Sequence, residues 1–189
     1  APGEARFRYA GSLGPMPLAA ACEAQLARLG RVLARSLGLV GVFGVDGVLD
    51  DGVFWPVEIN PRYTASMEIH ERASGRPVVA CHLAACVAGE LPRIGDAGPN
   101  DGRGGGWHGK EVLFARRAIR AGGHWSEWIA RQNAGRDWPR VADVPRARTR
   151  ISAGAPLLTI FSQGACRATA VAGLEQLRRE TEAALELPR

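Results

Sequence analysis

The run Gly41–Arg62, G-V-F-G-V-D-G-V-L-D-D-G-V-F-W-P-V-E-I-N-P-R, decides how the rest of the chain is read. Two stretches rich in β-branched and aromatic residues, Leu39–Asp50 and Val53–Ile59, flank Asp50-Asp51-Gly52, and this arrangement predicts a hairpin. Side chains alternate along a strand, so Asp46 and Val48 share a side of the first strand, and Phe54, Pro56, Glu58 and Asn60 share a side of the second. A three-residue Asp50-Asp51-Gly52 loop pairs even positions with even ones, which sets Asp46 diagonal to Glu58 with Asn60 beyond it. Two carboxylates and an amide oxygen within about 7 to 8 Å on one face repel unless a hard cation lies between them. Oxygen-only ligands of this kind suit magnesium, which takes its remaining ligands from water and phosphates. Pro61 ends the strand, and Arg62 presents a planar donor fork suited to phosphate or carboxylate. Pro56 is out of place in a regular strand, because it lacks a ladder donor and belongs on an edge or a bulge.

Upstream, Cys22, Leu26, Leu29, Leu33 and Leu37 recur at helical steps between Met16 and Leu39, and Gly38 marks the end of that amphipathic helix. Downstream, Ser66–Ala73 and Val78–Val87 read as two helices separated by Ser74-Gly75-Arg76-Pro77. Residues 93–109 shift to Gly, Asp, Pro and Asn without periodicity, which predicts a linker or long surface loop between a first lobe, 1–92, and a small module, 110–189. The module is expected to hold a strand at Glu111–Ala115, a Trp-containing segment at His124–Gln132, a strand-turn-strand over Arg148–Phe161 and a helix over Val171–Leu185. The fold class is therefore α+β, an antiparallel sheet flanked by helices with a β-rich C-terminal module.

Composition excludes several classes. The chain has 189 residues, 46% hydrophobic and 23% charged, as folded proteins do. No apolar run approaches the roughly 20 residues of a membrane span. The first residues hold no initiator Met and no secretion signal, so the sequence reads as part of something longer with a cytoplasmic home. Four cysteines without paired C-x-x-C spacing read as small buried or semi-buried apolar residues. The net charge of +5 rests almost entirely on arginine, Lys110 being the sole lysine. Those arginines are scattered among acidic neighbours with no basic stripe interleaved with aromatics, so no nucleic-acid partner is expected.

The stretch quoted above resembles the ATP-grasp superfamily, which includes biotin carboxylase and carbamoyl phosphate synthetase, where an acidic residue precedes E-x-N-P-R by about this distance. The resemblance covers roughly Gly11–Pro92 and implies the C-terminal, metal-binding lobe of an ATP-grasp fold. It continues into A-S-G-R-P-V-V-A-C-H-L-A-A-C-V-A-G-E-L-P, which looks like the paired helices after E-x-N-P-R in carbamoyl phosphate synthetase. D-V-P-R-A-R-T-R-I-S-A-G-A-P-L-L-T-I-F-S-Q-G is similar to the C-terminal module of predicted ATP-dependent carboligases related to biotin carboxylase. The resemblance implies that Asp46, Glu58 and Asn60 bind the magnesium ions bridging the phosphates of ATP, that Arg62 stabilises the transferred group, and that Val48 and Val57 lie against adenine. It implies ATP and Mg2+ as cofactors, and a carboxylate ligase acting through an acyl phosphate on a small-molecule carboxylate and a nucleophile. Self-association is left open. The family's two phosphate-binding lysines and its Gly-rich loop have no counterpart before the hairpin, so the chain alone is expected to be inactive. The alternative is a non-catalytic nucleotide- or protein-binding module.

Other signals carry less. Taken alone, Asp46, Glu58 and Asn60 would suit a solvated hairpin, and it is their place in the intact motif that argues for a metal. Gly104–Lys110 satisfies G-x-x-x-x-G-K, yet no hydrophobic strand leads in and Glu111 stands where a Walker loop needs Ser or Thr, so a flexible loop is expected. His70, His82, His108 and His124 show no metal-ligand spacing. Trp107, Trp125, Trp128 and Trp138 are expected in a small core or an interdomain contact.

Overall fold

The computed structural model describes residues 8–91 and 106–187. They fall into two compact units, one built from Ala1–Pro15 with Gly106–Arg189, the other from Met16–Gly105. Residues 93–105 of the expected linker lie outside the described residues.

In the second unit the leucine stripe forms α1 (Ala20–Leu37), which buries Cys22 and stops at Gly38 in the left-handed region. The hairpin follows as β2 (Gly44–Asp50) and β3 (Val53–Asn60), and then come α2 (Met67–Ser74) and α3 (Val78–Ala88). Gln25 of α1 docks on the hairpin's outer edge, its amide donating to Phe54 O at 2.8 Å and accepting from Phe54 N at 2.9 Å. An edge strand otherwise leaves such groups unpaired. Glu71 of α2 ties two further pieces together, accepting from the Tyr63 hydroxyl and from the first backbone N–H of α3, each at 2.7 Å.

The other unit contains β1 (Gly11–Gly14), β4 (Trp107–Phe114), β5 (Ile119–Arg120), α4 (Trp125–Asn133), β6 (Val141–Ala142), β7 (Arg150–Ile151), β8 (Pro156–Gly164) and α5 (Arg167–Ala184). Its main sheet is antiparallel in the order β1-β4-β8-β6, and β5 pairs with β7 in a second small ribbon. Leu158, Ile160 and Val141 from the sheet and Leu177 from α5 are fully buried, and Trp125 and Ile129 of α4 join their cluster.

Some expectations change here. The segment Trp107–Lys110 is not a loop but the first half of β4, where Lys110 pairs with Phe161 and lies 5.7 Å from its ring. The expected strand-turn-strand over Arg148–Phe161 is present as β7, a turn and β8, with β7 pairing with β5 while β8 enters the main sheet. Cys22 is buried and Cys81 partly so, but Cys86 and Cys166 are exposed. Of the tryptophans after the linker, Trp125 is in the core and Trp128 packs on it, whereas Trp138 is largely exposed.

Candidate functional site

The hairpin turn is tighter than a three-residue loop. Asp50 pairs with Val53, and Asp51 and Gly52 alone make the turn, with φ of 45° and 76°. Positive φ at both central residues gives the turn whose twist matches the strands, and Asp-Gly is among the pairs that adopt it most readily. Carried on regularly, this register would set Asp46 opposite Val57. It does not carry on, because Gly47 pairs with Pro56 while Asp46 pairs with Glu58, so Val57 is the extra residue of a β-bulge.

Two residues permit that bulge. A Cβ on Gly47 would come within 2.4 Å of both the Phe54 ring and the Trp55 carbonyl oxygen, so only glycine lets the partner strand approach this closely. Pro56 has no N–H to lose where the ladder is already broken.

The bulge sorts the side chains. Asp46, Glu58 and Asn60 share one face, as directly opposed or alternate residues do. Phe54 and Pro56 are not on it, contrary to simple alternation, because they lie on the other side of the bulge. Val48 stands next to Asp46 on this face, opposite Trp55, and both are largely exposed. Trp55 is a neighbour that alternation misses, and Pro56 is the one residue that signals the irregularity. Val57 sits at the bulge itself and is 74% exposed.

Asn60 is buried, and its amide joins the group, with Nδ2 donating to Asp46 Oδ2 at 3.1 Å. Arg62 folds back over it, Nη2 donating to Asn60 Oδ1 at 3.4 Å and Nη1 to Tyr63 O at 3.2 Å. The Arg62 N–H bonds Asn60 O at 2.8 Å and fixes the turn around Pro61. Tyr63 is held in its turn by Glu71, and burial, then that hydrogen bond, pushes its phenol well above the usual tyrosine range. The guanidinium is thereby anchored at the border of an exposed carboxylate face.

Among the described residues no group of three or more His, Cys, Asp and Glu side chains could hold a metal ion. The set here is two carboxylates and an amide. All its donors are oxygen, and Asp46 and Glu58 as direct partners place like charges about 4.5 to 5.5 Å apart at Cβ. That chemistry fits a hard divalent cation.

Residues 2–66, which include the hairpin and the Pro-Arg that follows it, match the family model for the ATP-grasp domain. Among curated proteins the chain is similar to the carbamoyl phosphate synthase large chain of Neisseria meningitidis, at 32% identity over 78 residues, 41% of this chain and 7% of the relative. The same protein of Pasteurella multocida matches at 32% over 79 residues, 42% of this chain and again 7% of the relative. Among solved structures, Kluyveromyces lactis urea carboxylase has a TM-score of 0.64 at 20% identity, covering 90% of this chain and 15% of that one. Rhizobium etli pyruvate carboxylase has a TM-score of 0.65 at 17% identity, covering 93% and 18%. The fold is thus that of these carboxylases, and the chain spans a small fraction of each protein it matches. No described helix is long and apolar enough to cross a membrane.

Proposed function

We propose that this chain supplies the metal-binding part of a Mg-ATP-dependent carboxylate ligase, carboxylate-amine or carboxylase in type, that works in the cytoplasm through an acyl-phosphate intermediate. The observation that carries the reading is the pairing of Asp46 with Glu58 on one exposed face, with Asn60 bonded to Asp46 and Arg62 folded over Asn60. Asp46, Glu58 and Asn60 would hold the ion. A magnesium ion held there would supply charge neutralisation to the phosphates of the nucleotide. Arg62 contributes a fixed positive fork toward the group being transferred, which stabilises charge without reorganisation. Val48 and Val57 would offer apolar contact to the nucleotide, and Trp55 beside Val48 adds an aromatic surface to the same face. The substrates are a small-molecule carboxylate and a nucleophile that captures the acyl phosphate.

Manganese, a paramagnetic stand-in, tests the ion site without activity. It should broaden the Trp55 indole resonance in the wild type at concentrations that leave Glu58→Gln unaffected. Equal broadening in both would remove the hairpin as the site.

A second reading, a non-catalytic nucleotide- or protein-binding module, draws on the position of the only lysine, Lys110, beyond the hairpin. It predicts ion binding without ADP formation in the intact protein.

A further inference from the structure

We propose that a cleft beside the β5–β7 ribbon, separate from the hairpin, binds a small phosphomonoester. The cleft, open to solvent, has a volume of about 310 Å3 and is lined by Arg117, Arg120, His124, Trp125, Leu185 and Glu186. That volume exceeds a bare phosphate and leaves room for a few carbons.

The charge around it is lopsided. From Arg116 to Arg150 the chain carries nine arginines against Glu127, Asp137 and Asp143, a surplus of six that exceeds the +5 of the whole chain. Arg131 is matched by Glu127 at 3.2 Å, but among the described residues no ion pair involves Arg117, Arg120 or Arg150. Arg120 and Arg150 are direct cross-strand partners, an arrangement of like charges that weakens a ribbon this short unless an anion lies near. Arg120 is held in place by its Nη1 donating to Arg148 O at 3.0 Å, and the guanidinium retains N–H groups for a ligand. Arg148 adopts φ of 69° to present that carbonyl.

Two guanidiniums and an imidazole, which adds a donor, suit a dianion better than a single carboxylate. No side chain caps α4, which starts at the cleft, and although its first N–H reaches Gly122 O at 3.4 Å, the positive end of the helix dipole favours the same charge. Glu186 in the lining disfavours a second anionic group. The ligand is therefore one phosphate on a small neutral remainder rather than a polyphosphate. Trp125, 3% exposed, gives the remainder a rigid wall.

Titration of the 189-residue chain with glycerol 3-phosphate, inorganic phosphate and tripolyphosphate, followed by amide and arginine Nε NMR shifts, tests this. Saturable shifts confined to residues 117–126, tighter for glycerol 3-phosphate than for the other two, support it. Arg117→Ala should weaken binding about tenfold, the loss of one charge-assisted contact. Arg136→Ala, which removes the same charge from an exposed loop, should not. Arg120→Lys keeps the charge without the fork and should weaken binding while the melting temperature holds. Shifts scattered over all exposed arginines, equal losses in Arg117→Ala and Arg136→Ala, preference for tripolyphosphate, or no saturation at millimolar ligand would overturn the proposal.

Discussion

Asp46 and Glu58 face one another as direct cross-strand partners only because Val57 is bulged out between Glu58 and Pro56. The two-residue turn alone would place Val57 across from Asp46, and the carboxylates would then point to opposite faces. The bulge is therefore the device that assembles the acidic face, and Gly47 is what allows it.

Gly47→Ala should break this arrangement. Its methyl would press on the Phe54 ring and the Trp55 carbonyl, and strain of this kind costs about 1–3 kcal/mol. Urea unfolding should show that loss, and manganese broadening at Trp55 should weaken with it. An unchanged midpoint would mean that the hairpin tolerates a regular ladder.

Gln25 makes the link between α1 and β3 at Phe54. Gln25→Leu keeps the volume but leaves a partly buried N–H and C=O without partners, at a cost of about 1–3 kcal/mol. Hydrogen exchange at the Phe54 amide should accelerate. Exchange at the wild-type rate would show that water replaces the side chain without penalty.

Much of this was open to sequence reasoning, and the failures have physical causes. The leucine stripe of α1 and the Asp-Gly turn are local signals, visible because helix period and turn chemistry depend on neighbours in the chain. The register of Asp46 against Glu58 comes from two departures from the expected ladder that add. The shorter turn moves the partner of Asp46 on by one residue and the bulge moves it on by one more, so a diagonal relation becomes a direct one. Pro56 hinted at the bulge, but the close approach over Gly47 depends on the partner strand. β1 has four residues and β6 two, too few to show a period, and their partners lie far off in sequence. The pairing of Arg120 with Arg150 is likewise a product of topology, since scattered arginines look solvated until strands align them.

Tyr63 gives a pH dependence. Its phenol is raised by burial and by Glu71, so the folded state favours the neutral form. The stability this contributes is complete below the ordinary tyrosine value of about 10 and is lost as pH rises above it, because the unfolded chain releases its proton first. Tyr63→Phe should thus be less stable than the wild type at pH 8 by about 1 kcal/mol, the value of one hydrogen bond. The gap should narrow by pH 11. Thermal melts of both proteins across that range decide it, and a gap that is constant with pH would show that Tyr63 ionises as freely when folded as when unfolded.

The chemistry proposed for Glu58 and Arg62 separates two variants of the intact protein. Glu58→Gln keeps size and shape and removes a charge that attracts magnesium, so ADP formation should fall by orders of magnitude while the fold survives. The Glu58 side chain is exposed, so melting should barely move. Raising magnesium should restore part of the rate, because weakened binding is offset by mass action. Arg62→Lys retains one charge but loses the fork that reaches Asn60 Oδ1 and Tyr63 O together. Nucleotide and carboxylate should still bind, the transfer rate should drop, and magnesium should restore nothing, since the ion's own ligands are intact. Steady-state ADP release against magnesium concentration, with melts as the folding control, distinguishes the two. Near-normal turnover by folded Glu58→Gln at limiting magnesium would return Asp46, Glu58 and Asn60 to an ordinary solvated hairpin, and rescue of Arg62→Lys by magnesium would place Arg62 in ion binding rather than in transfer.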